Sequence, residues 1–255
     1  MKLKLYIFAI SHYCEKARWA LDYLGIEYEL VHLAPGLHAK FAKDKGLTKS
    51  ALPILEIGAG EGGENEMIQG SEKIIDWAEQ LSHNDRCLTP SDQKQKVMEI
   101  EKRLGDKIGV HVRRAFYSEA LVEFPSSVRP IFTRDLSLPW RILVTLMWSK
   151  ISQKMIQRMD LGYQQGEESK QVLAEELDWL ETQLPSEDSF LVGYSFSRAD
   201  ITAAALLARL AFPNDHPLHK DLNRPPRLEE LAQQWSERPA LKWVRRVYAE
   251  YRDIA

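Results

Sequence analysis

An α/β N-terminal domain followed by an all-α domain is the fold class that this 255-residue sequence predicts. Three observations predict it. Over residues 1–82, short apolar runs alternate with helical patterns. At 83–93 the pattern breaks, with Asn84, Asp85, Pro90 and Ser91, and reads as a linker. From 94 to 255 the apolar residues recur at helical spacing, and no convincing strand appears.

The elements follow in order. The run Leu5-Tyr6-Ile7-Phe8-Ala9-Ile10 makes residues 2–9 a buried strand. It stops at Ser11 and turns at once into a helical pattern through Arg18, Trp19, Leu21 and Leu24. Residues 28–33 read as a second strand, and 34–49 as a polar loop holding a short helix. A strand opened by Pro53 follows at 52–57. Four glycines between 58 and 65 mark a loose hairpin turn. Residues 66–69 return as a strand, and 71–81 form a helix with Ile74, Ile75, Trp77 and Ala78 on its apolar side. The order is βαβ, then ββα. Beyond the linker, helices are expected at 97–117, 138–159, 166–184, 197–210 and 227–251. Ser197 and Asp200 have the spacing of a capping box, and Phe196 and Ile201 stand where a hydrophobic staple closes over it.

Composition narrows the function classes. The net charge of −3 offers no basic surplus for nucleic acid, and no polybasic block points to an anionic membrane. The most apolar later stretch, 140–148, contains Arg141 and is far shorter than the roughly 20 residues a membrane span requires. Two cysteines, Cys14 and Cys87, are too few for a disulfide framework and fit a reducing compartment. The N-terminal apolar run is short and lacks a small-residue cleavage site, so a cytoplasmic protein is expected. The histidines show no metal-ligand spacing, and no metal is expected.

Chemistry concentrates at residues 11–18. Ser11 and Cys14 place a hydroxyl and a thiol one helical turn apart, at a helix N-terminus that carries partial positive charge. Such a position suits a thiolate, whether the protein's own or a ligand's.

The chain resembles the cytosolic glutathione S-transferase superfamily, of the serine or cysteine type. Residues 11–18 resemble the motif opening the family's first helix, and Leu52-Pro53-Ile54-Leu55 resembles its cis-proline segment. Gln69-Gly70-Ser71 resembles the motif that ends in a serine, and Ser197 to Asp200 the family's capping box. The resemblance implies a thioredoxin-like N-terminal domain, a helical C-terminal domain, a glutathione site on the first and a homodimer. It implies that Ser71 and its helix N-terminus hold the γ-glutamyl carboxylate, and that Leu52 and Pro53 present a backbone edge to the peptide. It also implies that Ser11 hydrogen-bonds the thiolate. Lys49 is a candidate for the glycyl carboxylate. Gln69 and Gly70 are also placed among the glutathione-binding residues: Gly70 departs from the acidic or amide residue usual before the serine, and Gln69 could compensate only if the backbone shifts. Tyr6 is read as packing.

An acceptor pocket is expected between the domains, lined by His12, His111, Arg114 and Tyr117. The expected reaction adds glutathione to a small electrophile. Two alternatives remain open. One is a glutathione-dependent thiol–disulfide oxidoreductase using Cys14. The other is a non-catalytic binding module that keeps the fold.

Overall fold

The computed structural model describes residues 2–59, 65–81, 86–186, 188–219 and 224–252. Part of the expected hairpin turn (60–64) and part of the expected linker (83–85) lie outside them. The chain forms two compact units, one of residues 1–86 and 128–152, the other of 87–127 and 153–255.

The first unit is built on a four-stranded sheet in the order β2-β1-β3-β4. Its strands are β1 (Leu3–Ile7), β2 (Glu29–His32), β3 (Ile54–Ile57) and β4 (Glu66–Gln69). β1 and β2 run parallel, with Ile7 opposite His32, and α1 (His12–Tyr23) makes the crossover between them. β3 runs antiparallel to both β1 and β4. α2 (Leu37–Asp44) follows β2, and α3 (Ser71–Leu81) follows β4. β3 is buried along its whole length, so its four residues are almost continuously apolar. α1 and α3 bury Ala17, Trp19, Ala20, Leu21, Ile74 and Ile75, the stripes that their periodicity announces.

A polar cluster lies at the margin of this sheet, with Tyr6 and Glu56 buried and Lys45 and Asn65 exposed. Tyr6 and Glu56 lie on neighbouring strands, and the phenol donates to the Glu56 carboxylate at 2.5 Å. Lys45 and the Asn65 amide each donate to the other carboxylate oxygen at 2.7 Å. These donors hold Glu56 near 2, well below its ordinary value, against burial acting the other way. Burial, then Glu56 itself, pushes the Tyr6 phenol upward. Tyr6 is thus a buried donor, as the packing reading expected.

The other helices are α4 (Lys94–Arg103), α5 (Val110–Ala120), α6 (Pro125–Thr133), α7 (Leu138–Met159), α8 (Tyr163–Thr182), α9 (Arg198–Ala211), α10 (Pro226–Gln234) and α11 (Pro239–Tyr251). Where the periodicity predicts one helix at 97–117, a π-helical segment, Leu104–Gly109, separates α4 from α5. Gly105 and Gly109 fall in it, and glycine is a poor former of α-helix. The expected helix at 227–251 is divided by Pro239, which opens α11. α6 is absent from the sequence expectations, because two prolines and two serines mask its periodicity. Residues 128–152, which carry most of α6 and α7, cluster with the sheet.

In the second unit α9 is buried along its full length. Its N-terminus carries the expected capping box. The Asp200 carboxylate accepts from the Ser197 N–H at 2.8 Å and from its hydroxyl at 2.7 Å. Its other oxygen accepts from the Leu191 N–H at 2.8 Å. Next to it Arg198 pairs with Glu101 of α4 at 2.8 Å, both side chains 1% exposed. A buried pair of this kind resists removal of either partner far more than it adds net stability.

Candidate functional site

Strand register brings the predicted glutathione residues together. Tyr6 lies opposite Ile54, and Ile54 opposite Gln69. The end of β1, the start of β3 and the end of β4 therefore meet at one end of the sheet. Ser11 follows β1, Pro53 precedes β3, and Gly70 and Ser71 follow β4. The N-termini of α1 and α3 open at this same end.

Ser11 has extended backbone angles and caps α1. Its N–H donates to the Phe8 carbonyl at 3.0 Å. Its hydroxyl oxygen accepts from the Cys14 N–H at a long 3.4 Å. The hydroxyl proton is not used in this cap and also faces the Cys14 thiol, so a bound thiolate would compete with Cys14 for it. Capping and thiolate stabilisation are therefore compatible at this one residue.

The Leu52–Pro53 peptide bond is cis, as the resemblance implied. Among the described residues, the Leu52 N–H and C=O take no backbone partner. That leaves a short open edge beside β3, suited to a peptide-like ligand. The Pro53 carbonyl accepts from the Gly70 N–H at 3.0 Å, which ties this edge to the start of α3. Gly70 has φ +102°, a conformation that L side chains rarely adopt. This accounts for its departure from an acidic or amide residue. Gln69 is engaged within the protein. Its side-chain amide donates to the Lys49 and Ala51 carbonyls, both at 2.8 Å, and braces the loop that enters the cis bond. Ser71 begins α3 and is buried. The first-turn N–H groups of such a helix lack intrahelical partners and favour an anion. Lys49 is exposed in the loop held by Gln69.

The remaining expected site residues are buried or engaged within the protein. Cys14 is 1% exposed, and burial, opposed by hydrogen bonds from Ser11 and Phe8, pushes its thiol up to about 11. It is a core thiol that burial holds toward its neutral form, a setting that favours packing over the nucleophile role. His12 is buried as well, edge-on to Tyr13 at 4.6 Å, so it does not line an open pocket. In the helical unit, His111 Nδ1 lies 3.1 Å from the Ser169 hydroxyl, and burial, then Arg114, lowers its pKa. Arg114 donates to the Asp160 carboxylate at 2.7 Å. Tyr117 is buried against Phe116. All three act within the packing of α5, not as a free polar face.

An aromatic cleft that sequence reasoning missed adjoins the end of β1. Phe8, His32, Phe132 and Asp135 line it. Phe8 stands edge-on to His38 at 4.8 Å and to Phe132 at 5.8 Å. His32 faces Asp135 at 3.6 Å. In the sequence Phe8 falls in an apolar run that predicts a buried strand, and residues 134–137 carry no motif. Among the described residues, no group of three or more His, Cys, Asp or Glu side chains is placed to hold a metal ion.

The pattern described as "Glutathione S-transferase, N-terminal domain" matches residues 5–86, and that of the "Glutathione S-transferase, C-terminal domain" matches 163–238. The chain belongs to the glutathione S-transferase superfamily. Its fold is similar to that of beta-etherase LigF from Sphingobium sp. strain SYK-6, at 19% identity and TM-score 0.58, covering 96% of this chain and 98% of that one. It is also similar to glutathione transferase GSTFuA3 from Phanerochaete chrysosporium, at 13% identity and TM-score 0.64, with 100% and 99% covered. A third similar structure is maleylacetoacetate isomerase from Anaeromyxobacter dehalogenans 2CP-1 with bound GSH, at 16% identity and TM-score 0.50, with 97% and 96% covered. A sequence search of curated proteins gives no match.

Proposed function

We propose that this protein is a glutathione-dependent transferase that activates the glutathione thiol at Ser11 for attack on a small electrophile. One observation carries the reading. The open Leu52 edge, the Gly70–Ser71 helix start and the Ser11 hydroxyl converge at one end of the sheet.

Each part answers one group of the tripeptide. The start of α3 takes the γ-glutamyl carboxylate, Leu52 pairs with the peptide middle, and Lys49 takes the glycyl carboxylate. The Ser11 hydroxyl donates to the thiolate, while the dipole of α1 favours its charge. Thiolate stabilisation and proximity then supply the catalysis, with no metal required. The similar structures, an etherase, a transferase and an isomerase, differ in their named activities and fix no electrophile here. A reducing, cytoplasmic setting and a homodimer complete the proposal.

Calorimetric titration with glutathione tests it. Ser71→Ala removes a hydrogen bond to a charged group, worth about 1.5–3 kcal/mol. Binding should weaken at least tenfold. Unchanged affinity in that variant would overturn the assignment.

A further inference from the structure

α7 carries an unusual surface. Leu138, Trp140, Ile142, Leu143, Leu146 and Met147 are all exposed, Leu146 by 80% and Leu138 by 67%. These six large apolar side chains stand within ten residues, and only Val144, Trp148 and Ser152 of the whole helix are buried. Their exposed area is on the order of 600 Å², the upper end of the largest apolar patch an ordinary monomer shows.

The charges of the same helix are one-sided. It contains Arg141, Lys150, Lys154 and Arg158 and no acidic residue, in a chain of net charge −3. Lys150, Lys154 and Arg158 recur every fourth residue, so they form one exposed row. Among the described residues, none of the three pairs with a carboxylate. The exposed side of α7 is therefore apolar in its first half and cationic in its second.

We propose that this side of α7 docks on an anionic lipid membrane. The apolar half would enter the boundary between headgroups and acyl chains, with Trp140 at its edge. The basic row would lie on the negative headgroups, each charge contributing about 1 kcal/mol. A second copy is the poorer occupant. Full-length antiparallel pairing of two α7 helices would lay Ile142 and Leu146 of one on Lys154 and Lys150 of the other, and pairing of the apolar halves alone would leave both basic rows without a counter-charge on the helix. Parallel pairing would align the two basic rows, with no acidic residue on the helix to neutralise them. This docking is peripheral, since no helix among the described residues is long and apolar enough to cross a membrane. It does not depend on the glutathione reading.

Co-sedimentation of the full chain with vesicles tests it. The protein should pellet with vesicles of phosphatidylglycerol and phosphatidylcholine, less so at high salt, and not with phosphatidylcholine alone. Ile142→Glu combined with Leu146→Glu should abolish pelleting. Lys150→Glu combined with Lys154→Glu should weaken it roughly tenfold or more. All four side chains are exposed, and thermal melting of each variant checks that the fold is retained. The second pair keeps the test decisive if the first unfolds. Absence of pelleting with anionic vesicles, equal pelleting with neutral ones, or insensitivity to both pairs would overturn the proposal. So would sedimentation velocity showing a dimer that Ile142→Glu with Leu146→Glu dissociates while vesicle binding persists.

Discussion

Ser11 and Cys14 show how one helical turn separates a usable group from an inert one. Both stand at the positive end of α1. Ser11 is half-buried at the junction, whereas Cys14 is sealed beneath it, where desolvation outweighs the helix end and the nearby hydrogen bonds. A thiol held near 11 is almost wholly protonated at neutral pH. Cys14→Ser should therefore leave glutathione conjugation within about twofold of the parent. Incubating the folded protein with oxidised glutathione should add no glutathione mass at Cys14. Mass spectrometry showing rapid, stoichiometric modification there would revive the oxidoreductase alternative. Gly70 carries a second lesson at this scale. Its departure from the family pattern looks like a loss in the sequence. In the structure it is a backbone requirement, while Gln69 turns its amide to the loop before the cis-proline.

At the scale of elements, the Glu56 cluster fastens the site's scaffold. It joins β3 to β1 through Tyr6 and to the end of α2 through Lys45, and it also takes the Asn65 amide. Glu56 has a folded pKa near 2, against an ordinary 4.5. Its contribution is therefore complete above about 4.5 and is lost as pH falls through 2. The exposed Lys45 and Asn65 partners are screened by solvent, so the net contribution is well below the roughly 3 kcal/mol the full shift would give. Thermal melting between pH 6 and pH 2.5 should show the parent losing stability over the lower part of that range. Glu56→Gln should be less stable than the parent at pH 6, with a shallower decline on acidification. Equal pH slopes in the two proteins would show that Glu56 is not held as described. The capping box of α9 also fastens its element, with Asp200 accepting three hydrogen bonds in the core, but its pH dependence runs the other way. Burial lifts its carboxyl to about 6 despite those bonds, so its ionisation costs stability as pH rises from about 3.8 through 6.

At the scale of the whole molecule, the sequence disclosed what periodicity and local chemistry encode. The βαβ–ββα order, the capping box of α9 and the cis-proline segment were legible because each rests on residues close in sequence. The break at Leu104–Gly109 was not, since a π-helical segment keeps the apolar spacing of its neighbours. α6 was hidden by Pro125 and Pro130. The Tyr6–Glu56 bond joins residues fifty positions apart and depends on strand register, which no local pattern states. The face of α7 escaped notice because its basic residues follow its apolar ones instead of alternating with them. Arg141 also interrupts the hydropathy. His111, Arg114 and Tyr117 share a helix face, but their partners Ser169, Asp160 and Phe116 became visible only in the fold.

The central claim is that Ser11 lowers the pKa of a bound glutathione thiol. Its most direct test is the thiolate absorbance of the glutathione complex, followed as a function of pH in the parent and in Ser11→Ala. A free cysteine thiol titrates near 8.5. The bound thiol should ionise at least one unit lower in the parent, and Ser11→Ala should move it back toward the free value, because the hydrogen bond favouring the charged form is gone. A bound thiol that titrates like the free one in the parent, or an equally lowered value in Ser11→Ala, would contradict the claim.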